Sequence, residues 1–265
     1  MFTRNHEGKL HISQQIFKKY DLRNIAFFDI ETTGFNRTCD IIMLISIGYF
    51  KDYENFIIKQ YYAEYIEDEE SVLKAFKEEI AKFDSWCSYN GIAFDEDFII
   101  KRMERNNIEF VPPSKHVDLY RLIKPYHKQF GLERCNLKTI ERFLGIDRED
   151  RIDGGLSVQL YKQYLYTNND DIRDTIMLHN YEDVLNLPLL FNLIYRIETD
   201  SNIKKEPGIT PNQLKYLNIL LKKNNIEIES DIKSISKKAA SRAIDTILKG
   251  NVDNKKIDFI IKDTY

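Results

Sequence analysis

The run FFDIETTGF, residues 27 to 35, constrains this chain more than any other segment. Its apolar start reads as a buried strand, and it carries two acids one residue apart, Asp29 and Glu31. On a strand, residues i and i+2 share a face, so both carboxylates project the same way. Burying two like charges side by side is costly unless something compensates them. A divalent cation does so, and hard ions such as Mg²⁺ and Mn²⁺ take oxygen ligands. Thr32, Thr33 and Gly34 then break the strand, which sets the pair at its end. A solvated acidic strand end gives the same local sequence, so this segment alone leaves both readings open.

The rest of the composition bounds the fold. With 265 residues, 43% of them hydrophobic, the chain suits one sizeable α/β domain with a small appendage, and general disorder is excluded. Its 16 Tyr and 16 Phe read as ordinary core and surface packing. The net charge of −3 gives no global attraction to nucleic acid, but its distribution is uneven. From Asp200 to Tyr265 there are 13 Lys+Arg against 9 Asp+Glu, a net of +4, which leaves −7 for residues 1–199. An acidic body with a basic tail suits a polyanionic substrate, although a solvated helical face gives the same count. Cys39, Cys87 and Cys135 form no CxxC pair and are odd in number, which fits a reducing cytoplasm over a disulfide framework or zinc site. No signal peptide or membrane span is expected.

After a polar leader, residues 25–30, 41–50 and 55–62 read as three strands, spaced too closely for anything but antiparallel pairing. The periodicity of DEESVLKAFKEEIAKF predicts a helix, followed by a short strand at SWCSY and a helix through DFIIKRMERN. Beyond a short strand at KHVDLY the pattern is helical to residue 197, with Gly145 as a C-cap and Pro188 restarting the last helix. A linker is expected at 198–209, around KKEPG, and a basic helical module at 210–265. That module opens on Thr210 as N-cap with Pro211 at the first helical position, and its last helix runs from near Ser236 to Gly250.

Two further acidic sites follow the first. In YNGIAFDEDFI a turn at Asn90 and Gly91 leads to Asp95 at a helix start, where a carboxylate is also at home as a structural cap; Asp97 competes with it. In LHNYEDVLNL, His179 and Asp183 are four apart, on one face of a helix. A histidine there can act as a proton acceptor or simply pack.

Taken in order, Asp-x-Glu on a first strand, YNGxxFD at a strand-to-helix turn and HNxxD on a late helix resemble the DEDD, DnaQ-like 3′→5′ exonucleases of the RNase H-like fold. The spacing from Asn90 to Asp95 is similar to that of family B polymerase proofreading domains and selects Asp95 over Asp97. HVDLYRL, NLKTIERFLGI and HNYEDVLNL extend the resemblance to the bacterial YprB-type RNase H-like exonuclease domain, over residues 20–197. The resemblance implies a mixed sheet, antiparallel first and then parallel, flanked by helices. It further implies that Asp29, Glu31, Asp95 and Asp183 hold two Mg²⁺ or Mn²⁺ ions, with His179 as general base. By the same likeness Thr32, Thr33, Phe35 and Asn90 meet the substrate. One position departs from the pattern. Such enzymes carry Tyr four residues before the last Asp or His five before it, whereas His179 stands four before Asp183 and Leu178 five before.

The implied activity is two-metal hydrolysis of phosphodiester bonds at single-stranded 3′ ends of DNA or RNA. The alternative from another class is a catalytically silent nucleic-acid-binding or recruiting module, with the C-terminal helices as a surface for a protein partner.

Overall fold

Strands form where the apolar runs are, and one forms where they are not. A computed structural model describes residues 1–204, 207–228, 231–250 and 253–262. Strands β1 (Phe2–Lys9), β2 (Ile25–Thr32), β3 (Ile42–Phe50), β4 (Asn55–Tyr62), β5 (Ser85–Ser88) and β6 (Lys115–Asp118) make one sheet in the order β1-β4-β3-β2-β5-β6. Pairing is antiparallel from β1 through β4 and β3 to β2, then parallel from β2 to β5 and β6. The helices are α1 (Gln14–Lys19), α2 (Glu69–Ile80), α3 (Asp95–Arg105), α4 (Leu119–Ile123), α5 (Leu137–Phe143), α6 (Gly154–Thr167), α7 (Asp170–Asn186), α8 (Phe191–Thr199), α9 (Pro211–Lys223), α10 (Lys237–Leu248) and α11 (Asn254–Lys262). The mixed α/β sheet flanked by helices is the architecture expected from the sequence.

Alternation on β2 decides what each face meets. Ala26, Phe28 and Ile30 pack against Val72, Leu73 and Phe76 of α2 and Phe98 and Ile99 of α3, with Phe28 stacked on Trp86 at 4.6 Å. Phe27, Asp29 and Glu31 point the other way, toward the side that α6 and α7 cover. On that side Met43, Leu44 and Tyr62 pack with Tyr161, Tyr164, Ile176 and Met177. The central strand is therefore closed on both faces, as its near-continuous apolar sequence requires. A buried ion pair fixes the loop after it: Arg102 bonds Glu69 at 2.8 and 2.5 Å and the carbonyls of Arg37 and Thr38 at 3.4 and 3.1 Å.

Two expectations are corrected. Residues 2–9 are not a polar leader but the edge strand β1, paired along its length with β4. Its inward side chains are mostly polar: Arg4 binds Asp174 at 2.8 Å, and His6 lies 4.3 Å from the Tyr181 ring and 3.2 Å from Gln60. An edge strand sealed by polar contacts carries no hydrophobic alternation to detect. The helix ending near Gly250 is not the last. α11 follows, burying Ile257, Ile260 and Ile261 against α9 and α10.

Contacts divide the chain into two units, residues 1–122 with 136–196, and 123–135 with 197–265. In the second, Thr210 and Gln213 form a reciprocal cap on α9, and Ser236 caps α10. Within the expected linker, residues 205 and 206 lie outside the described residues, while Pro207 and Ile209 are pinned by backbone bonds with Lys237 and Ile235 at 2.7 and 2.8 Å. Among the described residues no helix is long and apolar enough to cross a membrane. Cys39, Cys87 and Cys135 form no disulfide with one another.

The packing predicts a contrast between two phenylalanines. Phe76, fully buried beneath β2, should cost about 3–5 kcal/mol on replacement by Ala in urea unfolding. Phe35, 85% exposed, should change stability by less than about 0.5 kcal/mol when replaced likewise.

Candidate active site

Three segments converge on one side of β2. The strand supplies Asp29 and Glu31, the start of α3 supplies Asp95, and α7 supplies His179 and Asp183 one turn apart. Oxygens of Glu31 and Asp183 and a ring nitrogen of His179 lie within 4.8 Å of one another. His179 Nε2 is 3.5 Å from both Glu31 Oε1 and Asp183 Oδ2. Asp29 and Asp95 stand outside that tight group yet share its field. Burial, and then Asp183, Asp95 and Glu31, push the Asp29 carboxyl well above its usual range. Burial lifts Glu31 to about 7, with Asp183 raising it further and His179 opposing. Asp95 is likewise lifted to about 7 by burial, against backbone N–H donors that include that of Ile30, with Asp118 and Asp183 adding to the rise.

Asp97, the rival of Asp95, faces outward and pairs with Arg37 at 2.6 Å and Lys101 at 3.0 Å. The helix that both occupy thus turns one carboxylate into the site and the other to solvent. Asn90 has φ +68° and is exposed; its N–H donates to Asp118 at 2.9 Å, so it shapes the turn that precedes Asp95. Gly91 follows because a Cβ there would lie 2.2 Å from Ser88 Oγ. The Thr32 hydroxyl donates to Gly34 O at 2.7 Å, and the Thr33 hydroxyl accepts from Ile41 N at 3.0 Å. Both side chains close the loop after β2. Phe35 projects from that loop, edge-on to Phe94 at 5.9 Å.

Asn180, next to His179 in the HNxxD motif, donates to Asp29 at 2.7 Å and accepts from the Ser46 hydroxyl. Gln60 continues the chain, donating to Ser46 at 2.9 Å. Three residues with no reading in the sequence complete the surroundings. Asp150 accepts from His179 Nδ1 at 2.7 Å, which turns Nε2 toward Glu31 and Asp183. Lys138 and Arg148 bind the same carboxylate at 2.8 and 3.0 Å. Despite its burial, donors from Lys138, His179 and Ile152 hold Asp150 down at about 2. Arg148, buried, also bonds both oxygens of Glu141 at 3.0 and 3.1 Å, Asp183 Oδ1 at 2.5 Å and the His179 carbonyl at 3.0 Å. The run DREDR at 147–151 is the sequence trace of this group, but so dense a cluster of mixed charge reads as a solvated loop.

The donor set suits hard divalent cations. Among the described residues no lysine or arginine pairs with Asp29, Glu31 or Asp95, although the site buries all or most of each. Carboxylate oxygens match Mg²⁺ or Mn²⁺. Such an ion would meet the charge that the fold leaves unanswered.

A family model of the RNase H superfamily (RNase_H_2) matches residues 26–195. The "uncharacterized protein YprB" of Bacillus subtilis is 29% identical over 194 residues, 71% of this chain, and the chain spans 46% of that relative's length. Among solved structures, the family B DNA polymerase of the hyperthermophilic archaeon Pyrobaculum calidifontis aligns with a TM-score of 0.49 and 17% identity. That alignment covers 80% of this chain and 27% of the polymerase.

The raised carboxyls set a pH dependence. A group protonated more readily in the folded state than in the unfolded one stabilises at low pH, and its contribution is lost as pH rises. Glu31 and Asp95, at about 7 when folded and near 4 when unfolded, act in the window from about pH 4 to 7. His179, raised by Asp183, Glu31 and Asp150 against its burial, acts in the same sense. In EDTA the protein should therefore melt at a lower temperature at pH 8 than at pH 5.5. Millimolar Mn²⁺ at pH 8 should recover the loss. Equal melting at the two pH values in EDTA would show that the carboxyls are not raised.

Proposed function

This chain belongs to the RNase H superfamily, and from that premise we propose that it is a metal-dependent 3′→5′ exonuclease acting on single-stranded ends of DNA or RNA. The observation that carries the reading is the convergence of Asp29, Glu31, Asp95 and Asp183 on one buried face, with His179 Nε2 directed among them by Asp150. The whole relative's activity is not assumed, since the chain spans under half of it.

In this proposal the four carboxylates would hold two Mg²⁺ or Mn²⁺ ions, with Glu31 and Asp183 beside His179. Bound divalent ions supply Lewis-acid charge that acidifies water and stabilises the departing oxygen of an in-line displacement. Every other task falls to the chain. Burial between β2 and α7 limits bulk water at the carboxylates. His179 takes the proton of the attacking water at Nε2, because its Nδ1–H is committed to Asp150. Asn180 fixes one oxygen of Asp29. Exposed Phe35, beside Phe94, is the surface against which a terminal base would stack, with the backbone around Thr32 and Thr33 beneath it. Residues 210–265 would form a separate module. Its α9 carries Lys215, Lys222 and Lys223, no acid, and an exposed Tyr216, a composition suited to contact with a nucleic-acid strand.

With Mn²⁺, purified protein should release mononucleotides from the 3′ end of 5′-labelled oligonucleotides and leave internal bonds intact. Asp183→Asn should lower the rate by more than about 100-fold. Asp150→Asn, which meets His179 at its far nitrogen and not at Nε2, should lower it by roughly 10–100-fold, as loss of an outer partner does. Internal cuts would point to an endonuclease. Intact DNA and RNA, with oligonucleotide binding retained in a double variant of Asp29→Ala and Glu31→Ala, would favour a recruiting module instead.

A further inference from the structure

Among the described residues, Arg148 is the only lysine or arginine paired with any of the four site carboxylates. Its guanidinium is buried, with 7% of the side chain exposed, and its Nη1 lies 2.5 Å from Asp183 Oδ1. The two oxygens of Asp183 are thus divided. Oδ1 is held by a cation that belongs to the protein, and Oδ2 faces His179 Nε2 at 3.5 Å. A guanidinium does not deprotonate in a protein, so this positive charge stays in place at every working pH. It cannot drift away either, because Glu141, Asp150 and the His179 carbonyl grip it from three other sides.

A fixed positive charge a few ångströms from a divalent ion repels it, and the repulsion is large at a site shielded from water. Against this stands the ordering that Arg148 gives Asp183. The two effects have opposite signs, and the geometry favours the first. Asp183 is already held on its backbone by α7, and although Glu141 also meets Nη1, at 3.0 and 3.1 Å, Nη1 lies nearer still to Asp183 Oδ1 at 2.5 Å.

We propose that Arg148 is a resident counter-cation that competes with the divalent ion for Asp183. It stabilises the carboxylates while no metal is bound, and it weakens metal binding at the position formed by Glu31 and Asp183. Filling that position loosens the bond from Nη1 to Asp183. The inference rests on the metal reading proposed above and adds an opposing group to it.

The test is calorimetric titration of the full chain with Mn²⁺, with no nucleic acid and no activity readout. Folded Arg148→Gln should bind Mn²⁺ at least about tenfold more tightly than wild type. Unchanged or weaker binding in a variant whose circular dichroism matches wild type overturns the proposal. Removing the guanidinium strips Glu141 and Asp150 of their partner and can unfold the chain, so a second measurement uses the wild type. The Arg148 side-chain ¹⁵N resonance, identified by its absence in Arg148→Lys, should move in step with Mg²⁺ saturation. A resonance that stays in place at saturating Mg²⁺ also overturns the proposal. If wild type takes up no Mn²⁺ but Arg148→Gln does, the competition is supported in its strongest form. If neither binds, the metal reading fails and this inference with it.

Discussion

Taking a carboxylate out of water is costly unless donors or a cation meet it, and β2 buries two of them side by side. Much of the local architecture answers that requirement. Asp29 and Glu31 sit on the face of the sheet that α7 covers, and α7 is accordingly a polar helix at its centre. It buries His179, Asn180, Glu182 and Asn186 where a helix that only packed would bury leucines. Asn180 satisfies Asp29, and the chain Asn180–Ser46–Gln60 carries that satisfaction across β3 to β4. What donors cannot supply is positive charge. Asp29, Glu31 and Asp95 respond by holding protons more tightly than free carboxyls do.

The second organising group is the guanidinium of Arg148. It joins α5 through Glu141, the loop before α6 through Asp150, and α7 through Asp183 and the His179 carbonyl. Glu182 closes the same loop from α7 by accepting the N–H groups of Glu149 and Asp150 at 2.9 Å each. A buried charge of this kind is costly to strand, so loss of any one partner would be felt by the others. Its position also orders the site hierarchically. Lys138 and Arg148 fix Asp150, Asp150 fixes the ring of His179, and His179 presents Nε2 to the two carboxylates beside it.

How much of this was legible depends on what each residue contacts. Strands β2, β3 and β4 declare themselves because their apolar runs must be buried. Asp29 and Glu31 could be placed on one face because the period of a strand is two, and His179 and Asp183 because four residues make about one helical turn. Asp95 was separable from Asp97 only through resemblance; in the structure one is enclosed and the other meets Arg37 and Lys101. β1 escaped notice because its inner side is Arg4 and His6, whose partners Asp174 and Gln60 lie far away in sequence. Arg148 and Asp150 escaped for the same reason. Their meaning comes from contacts with α7, 29 to 35 residues away, and no local period records those. α11 was detectable, since Ile257, Ile260 and Ile261 recur at helical spacing.

The most direct test of the account is anomalous diffraction from crystals of the full chain soaked in Mn²⁺. The account predicts manganese density within coordinating distance of Glu31 and Asp183, and a second peak bounded by Asp29 or Asp95. Manganese found only elsewhere on the surface, or no density at these carboxylates at a concentration where the protein binds the ion in solution, would contradict it.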